Sequence, residues 1–234
     1  MKCLFLSKEN IWSYKLFQKC KEIENYDFIW VNQGLYQIKN FTGLILDEIN
    51  NASIKPEYIF FFHWSDKIHE KIYENSNCIS FHTSNLPEGR GGNPIQNQIL
   101  EGISQTYVNA IKTSGQIDGG DLYCRETISL QGSLQDIWLK IAEVSYKMIE
   151  SILFNDLKPT PQSNLDLKKY KRLNSNEMNL NGDDAIEKLY DQIRMRDADG
   201  YGKSFIMVDG FKFEFSRAQM TGQDIISDVK ISKV

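Results

Sequence analysis

The chain has only three histidines, His63, His69 and His82, and one of them stands where it could move a proton. His82 ends an apolar run, CISF, and is followed by T-S-N-L-P and the Gly- and Pro-dense segment PEGRGGNP. An imidazole titrates near neutral pH, so at that place it can donate to a developing oxyanion or carry a proton. His69 reads as an ordinary surface or satisfied residue. A second group of residues, Gln116-Ile117-Asp118-Gly119-Gly120-Asp121, begins 34 positions further on. Taken alone it is an Asp-Gly turn between two strands. Its Asp118 becomes interesting only when paired with His82. Metal chemistry is not expected. The cysteines Cys3, Cys20, Cys78 and Cys124 are far apart and form no C-x-x-C, so no ligand cluster exists. Cys3, Cys78 and Cys124 sit in strand-like runs and read as small buried hydrophobes of a reducing compartment.

The elements around these residues alternate. KCLFL (2–6), DFIWV (27–31), EYIFFF (57–62) and CISF (78–81) are short, continuously apolar runs, separated by helix-like stretches at 11–23, 43–49 and 66–73. Continuous apolar strands alternating with helices indicate a parallel sheet covered on both faces. In such sheets ligands bind beyond the carboxyl ends of the strands. That rule marks Ser7-Lys8-Glu9-Asn10 and His82. Further on, Asn93 reads as a helix cap with Pro94 at the first helical position. Residues 106–114 and 121–130 read as strands. Ser133 caps a long helix over 134–154, because Ile137, Ile141, Val144, Met148 and Ile152 share one face. LKPTPQSN is a linker candidate, 183–195 a helix, and FIMVDGFKFEF a hairpin turning at Asp-Gly. The expected architecture is α/β, a Rossmann-like mostly parallel sheet over residues 1–160, with a small C-terminal α+β subdomain over 173–234.

FHTSNLPEGRGGNP followed by QIDGGDLY resembles the folate-dependent formyltransferases, which carry a strand, H-x-S-x-L-P, a Gly-rich R-G loop and, about 35 residues later, D-x-G. His82 and Asp118 are 36 positions apart here. The resemblance extends upstream to FFFHWSDKI and downstream to DQIRMRDADGYGKSFIMVDG, and within the family it looks closest to nucleotide-sugar N-formyltransferases of the pseudaminic-acid-pathway type. It implies that His82 and Asp118 are catalytic. His82 would stabilise the oxyanion formed when an amine attacks the formyl carbon of N10-formyltetrahydrofolate, and Asp118 would orient His82 or accept the amine's proton. The family's usual Asn two positions before the histidine is replaced by Ser80, so the second oxyanion donor is Ser80, Asn85 or Asn93. The resemblance places the cofactor against Trp64, Ser65 and Ile68 on one loop and Gly115, Gln116 and Ile117 on another. The acceptor shelf is expected at Ser7, Lys8 and Asn10, with Arg90 and Asn93 on the Gly-rich loop.

Charge favours a small acceptor. With 27 Lys+Arg against 31 Asp+Glu, the net charge of −4 gives no general attraction for phosphate polymers. The basic run in DLKKYKRLN (Lys168, Lys169, Lys171, Arg172) reads as a solvated linker face. The expectation is therefore a nucleotide-linked amino sugar as acceptor, with no nucleic-acid partner, no membrane partner and a homodimer compatible with the family. Methionyl-tRNA formyl transfer, hydrolysis of the formyl donor and an inactive folate- or nucleotide-binding module are the competing readings. The N-terminal apolar stretch is too short for a signal peptide, no run of residues is long and apolar enough to span a membrane, and the expected location is cytoplasmic.

Overall fold

The structure, a computed structural model, describes residues 1–32, 56–163, 167–174, 178–182 and 184–234. The helix expected around 43–49 lies outside them. Four apolar runs form the expected parallel strands: β1 (Lys2–Ser7), β2 (Asp27–Asn32), β3 (Tyr58–Phe62) and β4 (Asn77–Thr83). Two longer strands, β6 (Gln105–Lys112) and β7 (Leu122–Ser129), extend the sheet antiparallel, in the order β2-β1-β3-β4-β6-β7. The chain is thus mixed α/β with a mostly parallel central sheet. Alternation divides β1 between two cores. Cys3 and Phe5 join the large core under the long helix, while Leu4 and Leu6 join a smaller cluster on the opposite face.

The helices are α1 (Ile11–Cys20), α2 (Glu70–Tyr73), α3 (Pro94–Leu100), α4 (Leu134–Phe154) and α5 (Ile186–Arg194). Asn10 caps α1 by accepting from the Ser13 amide at 2.8 Å. Ser133 and Asp136 close a reciprocal capping box on α4, and Ile137, Ile141, Met148 and Ile152 of that helix are buried in the large core. The helix expected over 66–73 shrinks to one turn, Glu70–Tyr73, capped by His69. The helix expected over 183–195 runs Ile186–Arg194. Asn93 stands at the N-cap of α3, yet its side chain makes no cap bond, because its oxygen accepts instead from the Leu173 amide at 3.0 Å.

Two short strands, β5 (Arg90–Gly91) and β8 (Lys169–Tyr170), pair in parallel, and β9 (Phe205–Val208), β10 (Phe211–Thr221) and β11 (Asp224–Lys233) form a small antiparallel sheet. The β9–β10 turn is the expected Asp-Gly pair, with Asp209 at φ +48° and Gly210 at +80°. Among the described residues no helix is long and apolar enough to cross a membrane, and no group of three His, Cys, Asp or Glu could hold a metal ion.

Candidate active site

β4 brings the first functional side chains together. Successive strand residues point to opposite faces. Phe81 accordingly packs against Phe60 and Phe62, and its neighbours Ser80 and His82 point to the other side, into a cavity of about 850 Å³. Asn109, opposite His82 in register, donates to the carbonyls of His82 and Ser84 at 3.1 and 2.7 Å and so fixes the chain as it leaves the strand.

His82 is 7% exposed, and both its ring nitrogens are engaged. Nε2 lies 2.9 Å from the Gly89 carbonyl, which can only accept, so Nε2 carries a hydrogen. Nδ1 lies 3.3 Å from Asp118 Oδ2. Burial pulls the imidazole pKa down, but the charge and hydrogen bond of Asp118, with the Gly89 carbonyl, more than offset this and leave it raised. Burial pushes the Asp118 carboxyl up, while the His82 charge and hydrogen bond and the Gly91 amide leave it lowered overall. Each partner thus favours the charged form of the other.

The D-G-G-D loop is built to present that carboxylate. Asp118 adopts a left-handed conformation, φ +50°, which Asp tolerates better than most residues. Its Oδ2 also accepts the Gly91 amide at 2.9 Å. A Cβ on Gly120 would collide with the Lys112 carbonyl oxygen, so only glycine lets the loop pass there. Gln162 staples the loop from outside, donating to the Asp118 and Gly120 carbonyls at 3.0 and 2.7 Å while accepting from Arg90 at 2.8 Å.

The cavity gathers most of the residues expected to bind ligands. Lys8, Asn10, Trp64, Ser65, Ile68, Asn93, Gly115, Gln116 and Ile117 all line it with Ser80, His82 and Asp118. Two expected acceptor residues do not. Ser7 is fully buried, with its hydroxyl accepting from Trp30 Nε1 at 2.8 Å, because it is the last residue of a central strand rather than part of the shelf. Arg90 is 8% exposed and turned towards Gln162, away from the lining. Asn85 is exposed and also outside the lining.

Sequence reasoning missed the far end of the cavity. His63, just past the end of β3 with φ +48°, accepts at Nδ1 from Asn10 Nδ2 (2.9 Å) and Trp12 Nε1 (3.3 Å). Nε2 therefore holds its hydrogen and donates to the Tyr201 hydroxyl at 2.9 Å. Burial, helped by the Lys8 charge, pushes His63 down to about 3, so it is neutral. Its ring centroid lies 4.2 Å from that of Trp138, whose Nε1 also donates to Tyr201. β1 and β3 are neighbours whose connections diverge, which is the crevice where open α/β sheets bind ligands. Also missed was the basic run 168–172. It is not a free linker face: β8 lies against the Gly-rich loop, the Gly89 and Gly92 amides donate to the Lys168 and Tyr170 carbonyls, and Arg172 reaches the cavity wall and donates to the Ser65 carbonyl at 2.8 Å. Lys8, Lys67, Lys112 and Arg172 all line the cavity, with the acids Glu9, Asp66, Asp118 and Asp199.

Known proteins share this fold. Residues 175–232 match the family described as methionyl-tRNA formyltransferase, C-terminal domain. The solved structure of a methionyl-tRNA formyltransferase from Clostridium thermocellum is 32% identical, covers 100% of both chains and superimposes with a TM-score of 0.88. A curated methionyl-tRNA formyltransferase of Mesoplasma florum is 28% identical over 151 residues, which is 61% of this chain and 48% of the relative. The chain spans about half the length of the curated relatives it matches. A 4-N formyltransferase from Francisella tularensis shares the fold at 15% identity and a TM-score of 0.66, over 100% of this chain and 98% of its own. These likenesses overturn two expectations, the nucleotide-linked amino sugar as acceptor and the absence of a nucleic-acid partner. The physical reason is that a net charge averages over the whole surface and says nothing of one face, such as the basic run 168–172 that packs beside the Gly-rich loop.

Proposed function

The chain belongs to the formyltransferase family, and we propose that it transfers a formyl group from N10-formyltetrahydrofolate to the amino group of methionyl-tRNA. The observation that carries the reaction is the buried His82–Asp118 pair on the wall of a cavity large enough for a folate. The acceptor is supported by the end-to-end likeness to the Clostridium thermocellum protein.

The residues present fit the donor. Two loops, with Trp64, Ser65 and Ile68 on one and Gly115, Gln116 and Ile117 on the other, flank the catalytic pair and offer apolar surface beside backbone amides and carbonyls. Ile117 is a 68% exposed apolar side chain among the residues lining the cavity. N10-formyltetrahydrofolate, consumed as a substrate, supplies an activated formyl group. His82, held charged by Asp118, places positive charge beside the carbonyl oxygen as it becomes negative. Asp118 holds the imidazole in place, and its carboxylate is an acceptor for the proton the amine sheds.

For the tRNA, Lys8, Lys67, Lys112 and Arg172 supply positive charge on the cavity wall, beside the acids Glu9, Asp66, Asp118 and Asp199. Burial depresses the Lys8 pKa, with the Arg172 charge acting in the same direction against Asp66. An incoming phosphate would raise it again. The test is direct. Purified protein with N10-formyltetrahydrofolate should convert methionyl-tRNA to its N-formyl form, with an affinity that falls steeply as salt rises, by about 0.7–0.9 in the log–log slope for each phosphate neutralised. Turnover of the donor without formylated methionyl-tRNA would reject the acceptor, and no turnover at all would reject the reaction.

A further inference from the structure

The unresolved chemical question is which group donates a hydrogen bond to the formyl oxygen. Both nitrogens of His82 are already committed, one to the Gly89 carbonyl and one to Asp118. Asn85 is exposed and off the cavity, while Asn93 lines it with its carboxamide oxygen accepting the Leu173 amide, which fixes the side chain but leaves its Nδ2 hydrogens available. Two hydroxyls on the same wall as His82 offer a further donor. Ser80 Oγ and Thr113 Oγ1 lie 2.8 Å apart, and both residues line the cavity with His82. Ser80 is two residues before His82 on β4, on the same face and about 7 Å along the strand. Thr113 follows the last residue of β6 and is pinned by its own amide, which donates to the Cys78 carbonyl at 2.8 Å. Its side chain is therefore held opposite Ser80 by backbone on the neighbouring strand.

Counting hydrogens decides what this pair can do. Each hydroxyl has one hydrogen and can accept two bonds. Between the two oxygens one hydrogen is consumed, so one is left to donate elsewhere. The hydroxyl that receives the internal bond is polarised by it and becomes the better outward donor. We infer that Ser80 and Thr113 form a two-hydroxyl oxyanion donor, with Thr113 as a catalytic residue of the formyl transfer. This rests on the formyl-transfer reading above. In the step itself the amine lone pair forms a new C–N bond to the formyl carbon, and the C=O π electrons move to the oxygen, where the free hydroxyl hydrogen and the His82 charge meet them. The carbonyl then reforms, the bond to N10 breaks with its electrons going to N10, N10 takes up a proton, and the amine gives one up. The pair of hydroxyls neither gains nor loses a proton over the cycle.

Ser80→Ala and Thr113→Val are each expected to lower kcat on the order of 10²-fold, as loss of an oxyanion donor does, with the acceptor KM within about threefold of native. The double variant should be little worse than the worse single one, because residues acting as one unit are not additive. Thr113→Ser should restore most of the rate. A second readout needs no turnover. With isotope-labelled N10-formyltetrahydrofolate bound and no acceptor present, the formyl C=O stretch should lie at lower frequency on the native protein than in water-free reference solvent, and Thr113→Val should move it back up. Native transfer with Thr113→Val within twofold of it and an unmoved C=O band overturns the inference while the formyl-transfer reading stands. A band that responds to Thr113→Val in a protein that does not formylate methionyl-tRNA supports the hydroxyl pair and overturns the acceptor. A native protein that neither transfers nor shifts the band overturns both.

Discussion

The two ends of the cavity each carry a histidine at or beside a strand end, His82 buried and His63 half-buried, and their chemistry is opposite. His82, near the end of β4, is raised above its ordinary pKa by Asp118, while His63, just past the end of β3, is pushed down to about 3 and stays neutral. Burial acts downward on both. The difference is the second charge: Asp118 faces His82, whereas Lys8 is the charge that His63 feels. The neutral ring of His63 is then free to accept at one nitrogen and donate at the other, tying Asn10, Trp12 and Tyr201 together. One histidine supplies charge to a reaction, and the other fixes a wall.

The largest test of that contrast removes the charged end. His82→Ala should lower kcat by about 10³-fold or more, since positioned acid–base groups and oxyanion donors each contribute about 10²–10³. His63→Gln should leave kcat far closer to native. A rate loss at His63 as large as that at His82 would show that both ends take part in the chemistry.

A smaller effect sharpens the cause. In Asp118→Asn the burial that lowers His82 is opposed only by the Gly89 carbonyl, so its pKa should fall below that of the native protein. If His82 acts in its charged form, activity is lost as pH rises through the folded His82 value, and this basic limb should move to lower pH in Asp118→Asn. The acid limb, set by the lowered Asp118 carboxyl in the native protein, should vanish. Histidine ring NMR checks the shift directly. A His82 resonance that titrates at the same pH in both proteins would break the assignment of Asp118 as its partner.

The two histidines also drive stability in opposite directions. His82 binds its proton more tightly folded than unfolded, so its contribution is complete below pH about 6.5 and lost as pH rises through the folded value. His63 is the reverse. The unfolded chain takes up a proton near pH 6.5 that the folded protein refuses until about 3, so stability falls as pH drops between those values. Replacing His63 by Gln should flatten the acid side of the stability profile, measured by denaturant midpoint at fixed salt. An unchanged acid slope would mean that His63 is not the neutral group described here.

What the sequence made legible follows the range of the interactions. The four parallel strands are continuous apolar runs, and His82 with Asp118 sits in a local pattern of residues, so both could be read from the chain. The His63 end could not: its partners Asn10 and Tyr201 are 53 and 138 positions away, and nothing local marks them. Thr113 was hidden for the same reason, since only the β4–β6 register sets it beside Ser80. β11 escaped because DIISDVKISK mixes apolar and charged residues on an edge strand that leaves Ile226 and Ile231 well exposed. The basic run 168–172 looked like a solvated face because its composition says nothing of the Gly-rich loop it pairs with.

The smallest expected effect on rate belongs to Tyr201. Its hydroxyl accepts from His63 Nε2 at 2.9 Å and from Trp138 Nε1 at 3.1 Å. Tyr201→Phe keeps the ring and its packing against Trp12 and His63 but leaves two N–H donors without that acceptor. An unmade bond of this kind at a largely buried site costs about 1–3 kcal/mol, so the midpoint of thermal unfolding should drop visibly. The rate should not follow. If the His63 end is a wall and not a source of charge, kcat for Tyr201→Phe should stay within about threefold of native, with any change falling on KM because the Tyr201 ring lines the cavity. The measurement is steady-state kinetics beside a thermal melt on the same preparation. A stability loss with unaltered kcat keeps the two ends distinct. A kcat loss comparable to that of Thr113→Val, with His63 still neutral by NMR, would mean that the neutral histidine passes its influence to the reacting carbon after all.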